Sequence, residues 1–194
     1  MIIWIASYPK SGTTYLRSFL ASYFYSENGK FSFDHLSKIH QFPNMKFSKF
    51  NSETKEEASK NWIFNQNAFF EKDTLNLVKT HNCLIPFKGN YFTSRKETLG
   101  GIYIVRDPRD IAISWSNHAN LSYDESINFM IDFRSCIEWA QTKSLLPDNI
   151  KPQTFVSSWD EHVLSWTNNR LEVPKLILKY EDLVYKKNES LKLD

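Results

Sequence analysis

The chain opens on an uninterrupted apolar run, Met1-Ile-Ile-Trp-Ile-Ala6, the pattern of a strand covered on both faces. Apolar residues then recur at Leu16, Phe19, Leu20 and Tyr23, one face of a helix over residues 15–25. Residues 27–53 mix Phe, Lys, Ser and Asn without a period, which predicts loop with short helical turns. A helix is predicted over residues 53–70, with Trp62, Phe69 and Phe70 as its apolar contacts. Residues 75–79 predict a second strand running into Thr80-His81, residues 82–99 an irregular stretch, and residues 101–105 a third, buried strand. Pro108 suits the first turn of a helix that turns Ile111, Ala112 and Trp115 inward. Helices follow over residues 122–140 and 157–168, separated by a break at Pro147 to Pro152. Residues 175–180 predict a fourth strand, with a helix from Glu181 onward. Strands spaced by helices imply an α/β fold, a parallel β-sheet flanked by helices in three layers.

Composition adjusts this picture little. A length of 194 residues predicts one domain over residues 1–194, and 41% apolar with 15% aromatic content predicts a packed core. A net charge of +2 gives no reason to expect a nucleic-acid partner or an anionic membrane surface. Cys83 and Cys136 are too few and too far apart for a disulfide framework or a zinc site. No apolar stretch predicts a membrane span and no leader pattern precedes the first strand, so a cytoplasmic location is expected.

The chemistry lies at the predicted strand ends. After the first comes Ser7-Tyr-Pro-Lys-Ser-Gly-Thr-Thr14, a loop with glycine, hydroxyls and a lysine at a strand-to-helix junction. Such a loop suits an anion, because glycine admits close backbone approach and the first N–H groups of a helix point at bound charge. Thr13 or Thr14 is expected to cap that helix while offering a hydroxyl to a phosphate oxygen. After the second strand come Lys79 and His81, and after the third come Arg106, Arg109 and Ser114. Ligands of open parallel sheets bind beyond the carboxyl ends of the strands, so these groups are expected to share one site. A Walker A loop is not present, since Lys10 precedes Gly12 and no strand ends in an aspartate placed for a metal. A metal-independent site is expected, which disfavours a P-loop kinase or NTPase. Arg109 reads equally as a solvated helix charge, and His40, His118 and His162 read as core or surface residues.

Taken together, Tyr8-Pro-Lys-Ser-Gly-Thr-Thr14 resembles the 5′-phosphosulfate loop of the cytosolic-type sulfotransferases. Arg106 followed by Ser114 resembles the family's 3′-phosphate motif, and Lys79-Thr80-His81 its lysine-threonine-histidine strand end. Ser158-Trp159 with His162-Val163, and Lys179-Tyr-Glu-Asp-Leu183, echo two weaker landmarks in the same order. The resemblance implies a P-loop-like nucleotide-binding fold and 3′-phosphoadenosine 5′-phosphosulfate (PAPS) as donor, with no metal. It implies that Lys10, Ser11, Gly12, Thr13 and Thr14 hold the 5′-phosphate, and that Arg106 and Ser114 hold the 3′-phosphate. His81 would be the general base, Lys10 would steady the leaving oxygen, and Lys79 would neutralise the sulfuryl group. Tyr15 stands where many members have tryptophan and would stack on adenine, whereas Val156 replaces a tyrosine that contacts it elsewhere. The acceptor would be a hydroxyl, less readily an amine, on a small molecule, glycan or lipid. The family continues to an Arg-Lys-Gly loop that closes on the nucleotide, and none follows Leu183 here. Weaker donor binding is therefore expected, and a non-catalytic nucleotide-binding relative is the alternative.

Overall fold

In the computed structural model the structure describes residues 1–49, 52, 54–138, 153–168 and 170–185. Five strands form one parallel sheet: β1 (Ile2–Ser7), β2 (His40–Gln41), β3 (Asn76–Thr80), β4 (Thr98–Val105) and β7 (Lys175–Lys179), in the order β2-β3-β1-β4-β7. A separate antiparallel pair joins β5 (Cys136–Glu138) to β6 (Gln153–Phe155). The helices are α1 (Thr13–Tyr25), α2 (Phe33–Lys38), α3 (Lys55–Lys60), α4 (Trp62–Phe69), α5 (Pro108–Ala119), α6 (Tyr123–Ile131), α7 (Trp159–Thr167) and α8 (Tyr180–Tyr185).

The apolar run of β1 does what a doubly covered strand must. Trp4 and Ala6 enter one core with Val78, Tyr103, Phe92 and Trp166, while Ile5 enters the other with Leu16, Leu20, Leu77, Ile104 and Leu183. The period of two along the strand assigns alternate residues to opposite faces. A third cluster under α5 holds Tyr8, Ile111, Ala112, Met130, Ile137 and Val156. With β3 on one side of β1 and β4 on the other, the chain reverses direction of travel across the sheet at β1. A crevice opens at such a reversal, beyond the carboxyl ends of the strands.

Several local expectations are corrected. The stretch 27–53, read as loop with helical turns, also contributes the edge strand β2, which pairs His40 with Val78 and Gln41 with Lys79. The helix expected over 53–70 is two helices, because the Asn61 side-chain amide donates to the Glu57 carbonyl (3.1 Å) and ends α3. The helix expected over 122–140 stops at Ile131: Asp132 accepts from the Arg134 N–H (2.9 Å) in a tight turn, and Cys136 then enters β5. The break at Pro147–Pro152 lies outside the described residues. Neither threonine caps α1. Gly12 takes the cap position with φ 86°, and the Thr13 hydroxyl is drawn instead to the Ser7 hydroxyl.

Candidate functional site

A cleft of about 370 Å³ lies at the ends of β1, β3 and β4. Its lining comprises Lys10, Gly12, Thr13 and Thr14 from the loop, Lys79 and His81 from the end of β3, and Arg106, Ser114, Trp115 and His118 from the end of β4 and α5. The three sequence motifs thus meet in one place. Two expected members do not line it. Ser11 is fully buried beneath the loop, and Tyr15 is 40% exposed on the outer face of α1. His118, read as a core or surface histidine, does line it; its place one turn beyond Ser114 and Trp115 on α5 was the available signal. Arg109 pairs with Asp107 in solvent, the alternative reading of that residue.

The loop holds its shape by backbone conformation and by one ring. Lys10 (φ 65°) and Gly12 (φ 86°) both adopt the left-handed region. At Gly12 a Cβ would lie 2.3 Å from Cδ2 of Tyr180, so the tyrosine ring occupies the space any side chain would need. The same ring carries the Arg106 guanidinium 4.3 Å from its centroid, and Arg106 Nη1 donates to the Lys10 carbonyl (2.8 Å). Glu181 accepts from the Asp107 N–H (3.0 Å), which ties the end of β4 to the start of α8. Tyr180 is therefore part of the site's frame; in the sequence it showed only as a member of the Lys179–Leu183 landmark just after a strand end.

His81 is nearly fully buried, and its Nδ1 donates to the Ser7 carbonyl at 2.7 Å. A carbonyl can only accept, so this bond selects the tautomer in which Nε2 carries the lone pair. Burial, with the positive charge of Lys79, pushes the His81 pKa well below its ordinary value. The imidazole is thus neutral at physiological pH and equipped to accept a proton. Lys79 donates to Gln41 Oε1 (3.1 Å), and burial beside Arg17 and Lys10 lowers its pKa to about 8. Arg17 itself is anchored on the carbonyls of Leu36 and Ile39.

What fits this cleft is a polyanion. Its lining holds three cationic side chains, two imidazoles and three hydroxyls, with no carboxylate among them. Two buried donors, Ser11 Oγ and Arg106 Nε, lack a hydrogen-bond partner in the described structure. The first N–H groups of α1 face the same space, where a helix leaves its donors unsatisfied. Among the described residues no cluster of His, Cys, Asp or Glu could hold a metal ion, and no helix is long and apolar enough to cross a membrane.

Comparisons with known proteins return sulfotransferases. Luciferin sulfotransferase of Photinus pyralis is 29% identical over 193 residues, covering 92% of this chain and 46% of the relative. Sulfotransferase 2A1 of Mus musculus is 28% identical over 120 residues, covering 60% of this chain and 36% of the relative. The chain thus spans about half the length, or less, of these relatives. Mouse sulfotransferase SULT7A1 complexed with PAP shares the fold with TM-score 0.55 at 20% identity, over 98% of this chain and 55% of that one. A retinol dehydratase in complex with retinol and PAP shares it with TM-score 0.51 at 19% identity, over 96% of this chain and 56% of that one. The family model for the sulfotransferase domain matches residues 2–192, nearly the whole sequence, and the chain belongs to that family.

Proposed function

We propose that this chain, as a single domain, transfers a sulfuryl group from PAPS to the hydroxyl of an acceptor, or less readily to an amine, without a metal. The observation that carries the reading is the meeting of the anion loop, the Lys79–His81 strand end and the Arg106–Ser114 pair in one cleft. The donor, when bound, supplies a sulfuryl group already activated by its phosphosulfate anhydride.

The chain's own groups do the rest. The loop amides and the hydroxyls of Thr13 and Thr14 hold the 5′-phosphate, while Arg106 and Ser114 hold the 3′-phosphate. His81 takes the acceptor's proton at Nε2 as the acceptor oxygen attacks sulfur in line. Lys10 balances the charge gained by the leaving phosphate oxygen, and Lys79 neutralises the sulfuryl oxygens. Positioning and charge stabilisation account for most of the rate in such transfers. A relative's name and the ligand in one of the fold's solved examples support a small-molecule acceptor of the kind of luciferin or retinol; glycan and lipid hydroxyls are further candidates.

Calorimetric titration with 3′-phosphoadenosine 5′-phosphate (PAP) tests the nucleotide site, and absence of heat at millimolar ligand overturns it. His81→Ala is expected to abolish transfer and leave PAP binding close to wild type. Equal loss of both would mean that His81 holds nucleotide and is not the base. Binding by the wild type without transfer to any acceptor would leave the non-catalytic reading.

A further inference from the structure

The segment carrying His81 leaves the sheet at the end of β3 and is held there by one face of α7. His162 and Trp166, one turn apart, donate to successive backbone carbonyls: His162 Nε2 to His81 (3.2 Å) and Trp166 Nε1 to Asn82 (2.9 Å). Between them Ser165 Oγ accepts from the Leu84 N–H (3.1 Å) and donates to the His162 carbonyl (2.8 Å). His162 has no exposed surface, and its Nδ1 accepts from the Tyr103 hydroxyl at 2.9 Å, which reaches in from β4. The Tyr8 ring, next to the anion loop, closes edge-on against the imidazole with centroids 5.4 Å apart. Every ring nitrogen of His162 is therefore committed, and the residue sits among β3, β4, α7 and the loop.

We propose that His162 is a positioning residue for His81, with Trp166 as the second fixed point; this rests on the reading of His81 as the base. The ring of His81 is fixed at Nδ1 by the Ser7 carbonyl of β1 (2.7 Å), and its backbone at the carbonyl by His162 of α7. Two anchors on opposite ends of one residue set the direction in which Nε2 faces. Removing His162 takes this donor from the buried His81 carbonyl and so loosens the anchor that stops the residue turning about the Ser7 contact. Base catalysis depends on sub-ångström placement, so the displacement falls on the chemical step and not on nucleotide binding. The pKa of His162, lowered to about 3 by burial, keeps it a neutral donor–acceptor throughout the working range.

The test compares His162→Phe, which keeps the ring volume and loses both polar contacts, with His162→Gln, whose amide nitrogen reaches the place of Nε2. The full chain is used throughout. His162→Phe is expected to lower kcat by roughly 100-fold with KM for PAPS and PAP affinity near wild type, and His162→Gln to recover most of the loss. Trp166→Phe is expected to cause a smaller fall of about tenfold. In parallel, ¹⁵N spectra of the His81 ring report its tautomer: the Nδ1–H form in wild type, a mixture of forms in His162→Phe. Unchanged kcat and unchanged ring spectra in His162→Phe would overturn the proposal, as would PAP affinity falling as far as kcat. If His162→Phe does not fold, His162→Gln is set against His162→Asn, whose shorter amide cannot reach the His81 carbonyl, and equal behaviour of the two overturns it. Should the wild type transfer no sulfuryl group, the proposed function fails, while the ring spectra still decide whether His162 positions His81.

Discussion

Replacing Lys79 by methionine should make the folded chain more stable at neutral pH while weakening its hold on the anion. Lys79 is only 8% exposed, and its pKa is lowered from 10.5 to about 8 by burial and by the charges of Arg17 and Lys10. At about 1.4 kcal/mol per pH unit, that difference costs the folded state about 3 kcal/mol whenever the amine is protonated. The sign follows from which state binds the proton. Above about pH 10.5 the amine is neutral folded and unfolded, so it contributes nothing to the balance. As pH falls toward 8 the unfolded chain takes up the proton first and stability declines; below about 8 the penalty is complete and constant. Methionine removes that penalty but also the bond from Lys79 to Gln41, worth about 1–1.5 kcal/mol. The net expectation is a gain of about 1–2 kcal/mol at pH 7, measured by urea unfolding, and loss of the alkaline rise in stability expected of wild type. PAP affinity should fall in the same variant, and wild type should take up a proton on binding PAP near pH 8, read by calorimetry in buffers of differing ionisation enthalpy. A Lys79→Met variant less stable than wild type at pH 7, with the alkaline slope intact, would refute the reasoning.

Gly12→Ala combines a left-handed backbone with a Cβ 2.3 Å from the Tyr180 ring, and should destabilise by about 3 kcal/mol in denaturant unfolding with PAP binding lost. Arg106→Ala should weaken PAP binding by about 2–3 kcal/mol by calorimetry; Tyr180→Leu should lose part of that and Tyr180→Phe almost none, since the ring and not its hydroxyl supports Arg106. Acid should destabilise the fold from about pH 6.5 downward, because the unfolded chain protonates His81 and His162 while the folded state, with both pKa values lowered, does not. His162 alone, at about 3, accounts for about 2 kcal/mol by pH 5, and His162→Gln should flatten that part of the pH–stability curve.

The central strands that build the crevice were legible in the sequence because they are buried and so read as apolar runs, while the edge strand β7 showed through Leu176, Ile177 and Leu178 although the first two are exposed. Residues 1–6 and 101–105 fall inside or against β1 and β4, and residues 75–79 and 175–180 locate β3 and β7 to within a residue. Their ends carried the charged and hydroxyl groups that the cleft gathers, so Lys10, Lys79, His81, Arg106 and Ser114 needed only the topology to meet. What escaped depends on partners far along the chain. The two-residue strand β2 exists only through its pairing with β3, and the end of α6 is decided by one aspartate accepting from a nearby N–H. Tyr180 stands in a sequence landmark, but its packing on the Gly12 backbone shows only once the two distant segments are brought together. His162 reads as a core histidine, which it is; that its donor falls on the His81 carbonyl is a fact of packing between α7 and the end of β3.

The place of β1 in the middle of the sheet has a kinetic side. It leaves the ribosome before both of its neighbours, at residues 76–80 and 98–105, so its two edges stay unpaired until those later segments have been made. Long loops must close before those pairings reward the chain, which makes assembly slow and leaves an apolar strand waiting. The anion loop hangs from that waiting strand and receives Arg106 only once β4 has arrived. During synthesis, then, the first-made segment of the site is among the last to become one, and an early polyanion has nothing preformed to bind.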